Sequence, residues 1–153
     1  MPASTKVVTS AGSSLAISAA VPATNTSTAY AALTWTPIAQ ITDLGSTGRE
    51  YNLVSHQPLA ERGVVQLKGS YTDGQKTVQA AYVPGDPGQV IVATALDDDA
   101  QYSFKETYQN GTVKYFQAQV TSAPVNVGGT DSITAVTVNL SIKSGSLITV
   151  QPA

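Results

Sequence analysis

The segment ITAVTVNLSIK, residues 133–143, decides the fold class of this 153-residue chain. Its side chains alternate in polarity with a period of two, which is typical of a β-strand that buries one face. One face is assigned to the core and consists of Thr134, Val136, Val138, Leu140 and Ile142. The other face is rich in polar and β-branched residues, and it suits a sheet that meets water or a lumen: Ile133, Ala135, Thr137, Asn139 and Ser141.

A β-hairpin is predicted immediately before this strand. Asn110-Gly111 separates residues 101–109 from residues 112–121, and Asn-Gly accepts the positive φ angles that a type I′ turn requires. A two-residue loop would place Lys105 opposite Phe116. The large side chains of the two strands would then share one face as a cross-strand cluster, made of Tyr102, Phe104, Tyr108, Val113 and Tyr115.

One helix is predicted, over residues 89–96. Asp86 is placed as its N-cap, and Pro87 at the first helical position, where a missing N–H costs nothing. The segment is mostly apolar, so we expect it to lie against a sheet. Further strands are predicted from composition, at residues 15–20, 31–41, 51–55, 64–71 and 77–83, with a turn at Asp73-Gly74.

The length suits one domain with its own core. Residues 1–30 are rich in Ser, Thr and Ala and nearly chargeless, so we expect a flexible arm or a segment ordered by neighbouring subunits. Residues 31–153 are expected to form a single mainly β domain. Within it, residues 42–62 hold both arginines and the only histidine. We expect them to form a long loop, and such loops in compact domains are often functional.

Composition argues against catalysis and against tight binding of nucleic acid. The chain has no cysteine and one histidine, His56, which excludes a thiolate zinc site and leaves a single candidate base in a polar loop. Asp97-Asp98-Asp99 lacks the alternating ligand spacing of a calcium loop. The eight Lys and Arg residues are scattered along a chain of net charge −2, so no basic face for duplex DNA is expected. We expect no enzyme, cofactor or metal.

The low charge content is the first indication of an assembly protein. Charged residues make up 12% of the chain, against about 25% in ordinary domains. We expect much of the surface of such a domain to be covered by partners. No apolar run approaches the roughly 18 residues of a membrane span, so no membrane insertion by this chain is expected.

Eight short motifs follow one another between residues 48 and 131: GREY (48–51), PLAERG (58–63), KGSY (68–71), DPGQ (86–89), ALD (95–97), YSFK (102–105), NGTVKYF (110–116) and NVGGTD (126–131). In this order they resemble the tail tube (major tail) proteins of long-tailed, non-contractile, siphovirus-type bacteriophages, over residues 35–150. The resemblance implies an antiparallel β-sandwich or partly closed barrel with one short α-helix packed on it.

The same resemblance implies the function. Subunits of that family form hexameric rings that stack into a hollow tube around a tape-measure protein, between a tail terminator and distal tail proteins. The tube later conducts double-stranded DNA into the host, with transient, non-specific contacts in the lumen. The protein would be a structural component of the virion tail, assembled in the host cytoplasm, and it would not be an enzyme.

Residues 42–62 resemble the long loop by which such subunits reach the next ring. Arg49, Glu50, Glu61 and Arg62 are therefore candidates for inter-ring ion pairs, and the alternative is that they are solvated loop charges.

Two further groups are candidates for the lumen, against the alternative of an ordinary outer surface. They are Thr137, Asn139 and Ser141 on the strand at 133–143, and the acidic run Asp97, Asp98 and Asp99. Duplex DNA binds proteins mainly through Lys and Arg on its phosphates. A mildly acidic lining rich in Ser and Thr would therefore let DNA slide.

Two other readings stay open. One is a tube subunit of a contractile injection machine, which belongs to the same architectural class. The other is a secreted carbohydrate-binding or adhesive β-sandwich. That reading predicts a monomer with an exposed aromatic platform that includes Trp35, since aromatic rings offer an apolar face with a polar edge.

Overall fold

The structure is a computed structural model that describes residues 7–152. Its elements are β1 Ser14–Ser18, α1 Ser27–Ala31, β2 Thr36–Pro37, β3 Ile41–Asp43, β4 Glu50–His56, β5 Val65–Thr72, β6 Gln75–Ala81, α2 Pro87–Leu96, β7 Tyr102–Thr107, β8 Val113–Ser122, β9 Val125–Asn126, β10 Ala135–Ile142 and β11 Ile148–Val150. All strand pairings between these elements are antiparallel. The predicted mainly β fold is confirmed, with α1 as an additional short helix.

Nine strands form one curled sheet, a half-barrel closed by α2. Its order is β2-β1-β7-β8-β10-β6-β3, with β9 beside β10 and β11 beside β8. Phe104 of β7 stacks on Phe116 of β8 in the core, with ring centroids 5.4 Å apart. The apolar face of β10 joins this core as the alternation predicts, through the buried side chains of Val136, Val138, Leu140 and Ile142.

The β7–β8 hairpin is present, but its predicted register is wrong by one residue. Lys105 pairs with Tyr115 rather than with Phe116. The loop has three residues, 109–111, and is closed by a hydrogen bond from Tyr108 N to the Thr112 carbonyl (2.9 Å). A type I′ turn needs positive φ at both central residues, whereas Gly111 alone has it within this loop (φ 89°).

A one-residue shift sends side chains to the opposite faces of a strand. Tyr115 therefore leaves the predicted aromatic cluster, and Phe116 takes its place opposite Phe104. Tyr115 instead stacks on Tyr30 of α1 on the other side of the sheet, with ring centroids 5.2 Å apart. The strand β8 is thus buried on both faces over residues 115–118.

The helix α2 begins where the sequence predicts. The Asp86 carboxylate accepts hydrogen bonds from Gln89 N and from Ala39 N (3.1 Å each), so the N-cap also holds the chain before β3. Val92 and Ala95 are buried against the sheet, whereas the outer face of the helix is exposed. The helix therefore covers the core with one face and leaves the other free.

The expectation of an arm over residues 1–30 is wrong for much of its described part. β1 pairs with β7 and β2 and buries Leu15 and Ile17 in the core. These two alternating apolar side chains pack the strand against the core, although the residues around them are mostly polar or small. The strand predicted at 15–20 is confirmed. The single strand predicted at 31–41 is wrong, because that stretch contains the end of α1, β2 and the start of β3. Residues 1–6 lie outside the described residues.

We expect Phe104→Ala to destabilise the subunit by about 3–5 kcal/mol, the usual effect of emptying a buried aromatic site, because Phe104 is fully buried. Urea unfolding of dispersed subunits, followed by circular dichroism, measures this change. Leu53→Ala is the control, since Leu53 is 63% exposed and should change stability by less than about 0.5 kcal/mol. Equal effects of the two substitutions would contradict the assigned core.

Candidate functional site: the arm hairpin and the polar face

Residues 50–72 form an exposed β-hairpin, which we call the arm hairpin: β4, β5 and their connection. β4 and β5 form a separate two-stranded sheet, about 25 Å long at roughly 3.3 Å per residue. The strands predicted at 51–55 and 64–71 are confirmed. The expectation of a long loop over residues 42–62 is wrong in part, since residues 50–56 form the strand β4, which pairs with β5.

The arm hairpin carries large apolar side chains into solvent. Leu53, Val54 and Leu67 are 63%, 56% and 62% exposed. An isolated two-stranded hairpin is at best marginally stable in water, and contiguous exposed apolar surface marks interaction sites. The arm hairpin therefore exposes apolar surface of the kind that marks interaction sites.

A buried carboxylate anchors the base of the arm hairpin. Asp73 is 1% exposed and accepts hydrogen bonds from Arg49 Nε (3.2 Å) and from Gly145 N (2.7 Å). The Arg49 guanidinium also lies 4.0 Å from the centroid of the Tyr71 ring. Hydrogen bonding to Tyr51 and to Asp73 raises the pKa of Arg49. This arrangement gives Arg49 an intrachain role that the sequence interpretation missed.

A second ionic contact holds the segment before the arm hairpin. Lys76 Nζ donates a hydrogen bond to Thr47 Oγ1 (2.7 Å) and lies 2.9 Å from Glu106 Oε2. Both charged side chains are buried, and removing one of such a pair leaves the other charge uncompensated. Sequence analysis missed this pair. The available signal was the position of Lys76, which shares its strand face with buried Val78 and Ala80.

The remaining inter-ring candidates lie free on the arm hairpin. Glu50 begins β4 opposite Thr72, and Glu61 and Arg62 lie in the connection between the strands. Within residues 7–152, none of these three side chains has an ion-pair partner. Their charges are therefore available to another molecule, and the inter-ring pairing stays a prediction.

Thr137, Asn139 and Ser141 lie on the sheet face opposite the core. We call this the polar face; its members are Gln75, Thr77, Gln79, Gln119, Thr121, Thr137, Asn139 and Ser141. Asn139 is central, because its amide accepts a hydrogen bond from Thr77 Oγ1 (2.9 Å) and donates one to Ser122 Oγ (2.6 Å). All eight side chains are uncharged, and they are exposed or half-buried.

The acidic run is exposed just after α2. The Asp98 carboxylate accepts hydrogen bonds from Tyr102 OH (3.2 Å) and Ala100 N (3.1 Å), and burial together with this carboxylate raises the pKa of Tyr102. The Gln119 side chain donates to the Asp99 carbonyl, which places the run at the rim of the polar face. Within residues 7–152, no group of three or more His, Asp or Glu side chains is suited to holding a metal ion.

Trp35 is not part of an exposed platform. Its ring is half-buried and lies 5.9 Å from the ring of Tyr115, and its Nε1 donates a hydrogen bond to the Tyr30 carbonyl (3.0 Å). The prediction that Trp35 belongs to an exposed aromatic platform, as in a carbohydrate-binding β-sandwich, is therefore wrong.

A family model described as the lambda phage tail tube protein, TTP, matches residues 22–146. The chain belongs to this family. The predicted resemblance to siphovirus-type tail tube proteins is thus confirmed, and the protein is a tail tube subunit, a structural component of the virion. Comparison with curated sequences gives no significant match. No helix within residues 7–152 is long and apolar enough to cross a membrane.

Solved tail and injection-system structures share the fold of this tail tube protein. A chain of the six-fold symmetrised anti-feeding prophage baseplate matches with a TM-score of 0.68 at 11% identity, covering 96% of this chain and 97% of that one. The SPP1 tail tube matches with a TM-score of 0.65 at 14% identity, and the match covers 92% of this chain and 77% of that one. A chain of the sheath/tube terminator of the PVC extracellular contractile injection system matches with a TM-score of 0.68 at 9% identity. This match covers 97% of this chain and 98% of that one.

We expect Asp73→Ala to loosen the base of the arm hairpin, because it removes the acceptor of the half-buried Gly145 N–H and of Arg49 Nε. Such an unsatisfied group costs about 1–3 kcal/mol. Asp73→Asn keeps an acceptor and should lose less. Urea unfolding measures the stability, and hydrogen exchange at residues 49–52 and 70–72 reports the base directly. Asp131→Ala, at an exposed position, is the control; protection unchanged by Asp73→Ala would argue against the anchor.

Proposed function

We propose that six copies of this tail tube protein close into a ring and that the rings stack into the hollow tube of a siphovirus-type tail. The tube encloses the tape-measure protein, ends at the tail terminator and the distal tail proteins, and passes double-stranded DNA into the host during infection. The subunits assemble in the host cytoplasm. The function is structural and involves neither catalysis nor a cofactor.

The uncharged polar face is the observation that carries this proposal. Lys and Arg on phosphates supply most of the affinity of proteins for duplex DNA, and the polar face has neither. Six such faces around a lumen would offer DNA mainly hydroxyl and amide groups, with Asp97, Asp98 and Asp99 at the rim. A ring carries a net charge of −12, six times −2, which repels DNA weakly and favours sliding.

The edges of the main sheet suit ring closure. β2 pairs with only two residues of β1, and β3 with only two residues of β6, so the rest of each longer strand has an edge without a partner strand, which another copy could extend. A heterologous contact that rotates to closure makes a ring. A six-fold symmetrised assembly that contains the same fold supports six as the number.

The arm hairpin supplies the contact between rings. Its exposed apolar side chains and the free charges of Glu50, Glu61 and Arg62 face solvent in the single subunit and pack against a neighbour in the tube. The chain thus has two parts: the main sheet with α2 forms the ring, and the arm hairpin links one ring to the next.

A contractile injection system is the second candidate setting for the same tube. Its support is the match to chains from the baseplate of one such particle and the terminator of another over nearly their full length. In that setting the exposed outer face of α2 would meet a sheath.

Electron microscopy of the concentrated protein, with its solution mass, tests the tube. Wild-type subunits should form hollow tubes with six-fold end views. Val54→Asp with Leu67→Lys should abolish them, because it removes apolar surface from the arm hairpin, while the opposed charges keep its strands paired.

The matched control is Val90→Asp with Thr94→Lys on the outer face of α2, where the two residues are exposed and their i,i+4 spacing favours the helix. It should form tubes normally. Tubes of normal length from the hairpin variant would remove the arm hairpin from the interface, and five- or eight-fold end views would overturn the hexamer.

Single cysteines test the lumen, since the chain has none of its own. In assembled tubes, Thr137→Cys should react with a small maleimide but not with a maleimide on a polymer too bulky to enter the lumen. Val90→Cys on α2 should react with both. Reaction of both sites with the bulky reagent would place the polar face outside, and protection of Thr137→Cys from both reagents would place it in a subunit interface.

A further inference from the structure

A cavity of about 140 Å³ lies between α2 and the core face of the main sheet. Val92 of α2 lines it on the helix side, and Ala80 of β6, Val138 of β10 and Phe104 of β7 line it on the sheet side. Protein interiors are normally packed as densely as organic crystals. Side chains as small as Ala and Val on both the helix and the neighbouring strands do not fill the space between them, so the cavity follows from the choice of core residues.

The first turn of α2 fixes the distance between the helix and the sheet. Gly88 lies so close to β2 that a Cβ at this position would overlap the carbonyl oxygen of Pro37. The Gln89 side chain donates hydrogen bonds to the carbonyls of Ala39 (3.3 Å) and Ala81 (2.9 Å). These contacts prevent the start of the helix from moving closer to the sheet, so the cavity does not close by a simple shift of α2.

The lining of the cavity is almost entirely apolar. Gln89 and Tyr82 are the lining residues with a polar side-chain group. Both donors of the Gln89 amide bind the two carbonyls named above, and its oxygen accepts a hydrogen bond from Val83 N (3.0 Å). A buried water molecule needs about two to four polar partners. The cavity therefore favours an apolar occupant, which gives the lining atoms additional dispersion contacts.

The cavity reaches the surface beside the last residue of α2. Leu96 of α2, Tyr82 after β6 and Val125 of β9 line the cavity, and they are 40%, 41% and 42% exposed. Residues that both line a cavity and contact solvent mark its opening. A small molecule that enters here meets apolar and aromatic side chains from the surface to the core.

We propose that this cavity is a binding site for a small, uncharged apolar molecule of about the size of one aromatic ring. An engineered cavity of roughly 150 Å³ with an apolar lining binds benzene, and the cavity under α2 has nearly this volume. The bound molecule packs between Val92 and Val138 and holds α2 against the sheet. The site lies within the single subunit, so this inference does not depend on the proposed tube.

Toluene and phenol test the site, because the two molecules have similar sizes and differ in polarity. In dispersed full-length subunits, toluene at about ten times its dissociation constant should raise the unfolding temperature by roughly 3–6 °C. Calorimetry should show that phenol binds at least about tenfold more weakly, because its hydroxyl group would be buried without a partner. Bound toluene should also slow hydrogen exchange at residues 90–96.

Two substitutions that fill the cavity locate the ligand. Ala80→Leu enlarges a side chain on β6, and Ala123→Leu enlarges one after β8; both residues line the cavity. Each folded variant should bind toluene at least about tenfold more weakly, because the new side chain takes the volume of the ligand. Ala60→Leu is the matched control, since Ala60 is exposed in the connection of the arm hairpin. It should bind toluene as the wild type does.

Each result decides for or against the site. Absence of a toluene-induced shift in the wild type would overturn the proposal, and so would equal affinity for phenol. Unchanged toluene binding in a folded Ala80→Leu or Ala123→Leu variant would place the ligand elsewhere and overturn it as well. If Ala80→Leu fails to fold by circular dichroism, Ala123→Leu and the hydrogen exchange of the wild type decide.

Discussion

The antiparallel pairing of β10 between β6 and β8 is the constraint on which the rest of the structure depends. Its register places Val136, Val138, Leu140 and Ile142 against the core, and it leaves Thr137, Asn139 and Ser141 on the polar face. The same pairing defines the two ends of the main sheet. A single strand therefore separates the core from the polar face, which is the candidate lining of the lumen.

The arm hairpin leaves much of its apolar surface exposed in the single subunit. Its strands have no core of their own, and their apolar side chains lie in solvent in the single subunit. Only its base is fixed, by Asp73 with Arg49 and by Lys76 with Glu106 and Thr47. These ionic contacts, in which Asp73, Lys76 and Glu106 are buried, hold the base of the hairpin and leave its apolar side chains exposed.

Much of the fold could be predicted because local patterns had single causes. The alternation at 133–143 required a half-buried strand, and Asp86 with Pro87 required a helix start. The register of the β7–β8 hairpin could not be predicted, because Asn110-Gly111 is compatible with both a two-residue and a three-residue loop. In the structure the loop has three residues, and this register allows Phe104 to stack on Phe116 and Tyr115 to stack on Tyr30. The alternation of Lys76 with Val78 and Ala80 in the sequence indicates that Lys76 faces the core. The sequence does not indicate that Glu106, 30 residues away, is its partner.

By itself the sequence determined the helix α2, most of the longer strands, the uncharged character of the polar face and, through the order of its motifs, the tail tube family. These depend on neighbouring residues, whose spacing sets periodicity, capping and turns. The tertiary structure alone decided which strands pair and that residues 50–72 stand apart as a hairpin. Those features join residues far apart in the chain, and only sheet register brings such residues together.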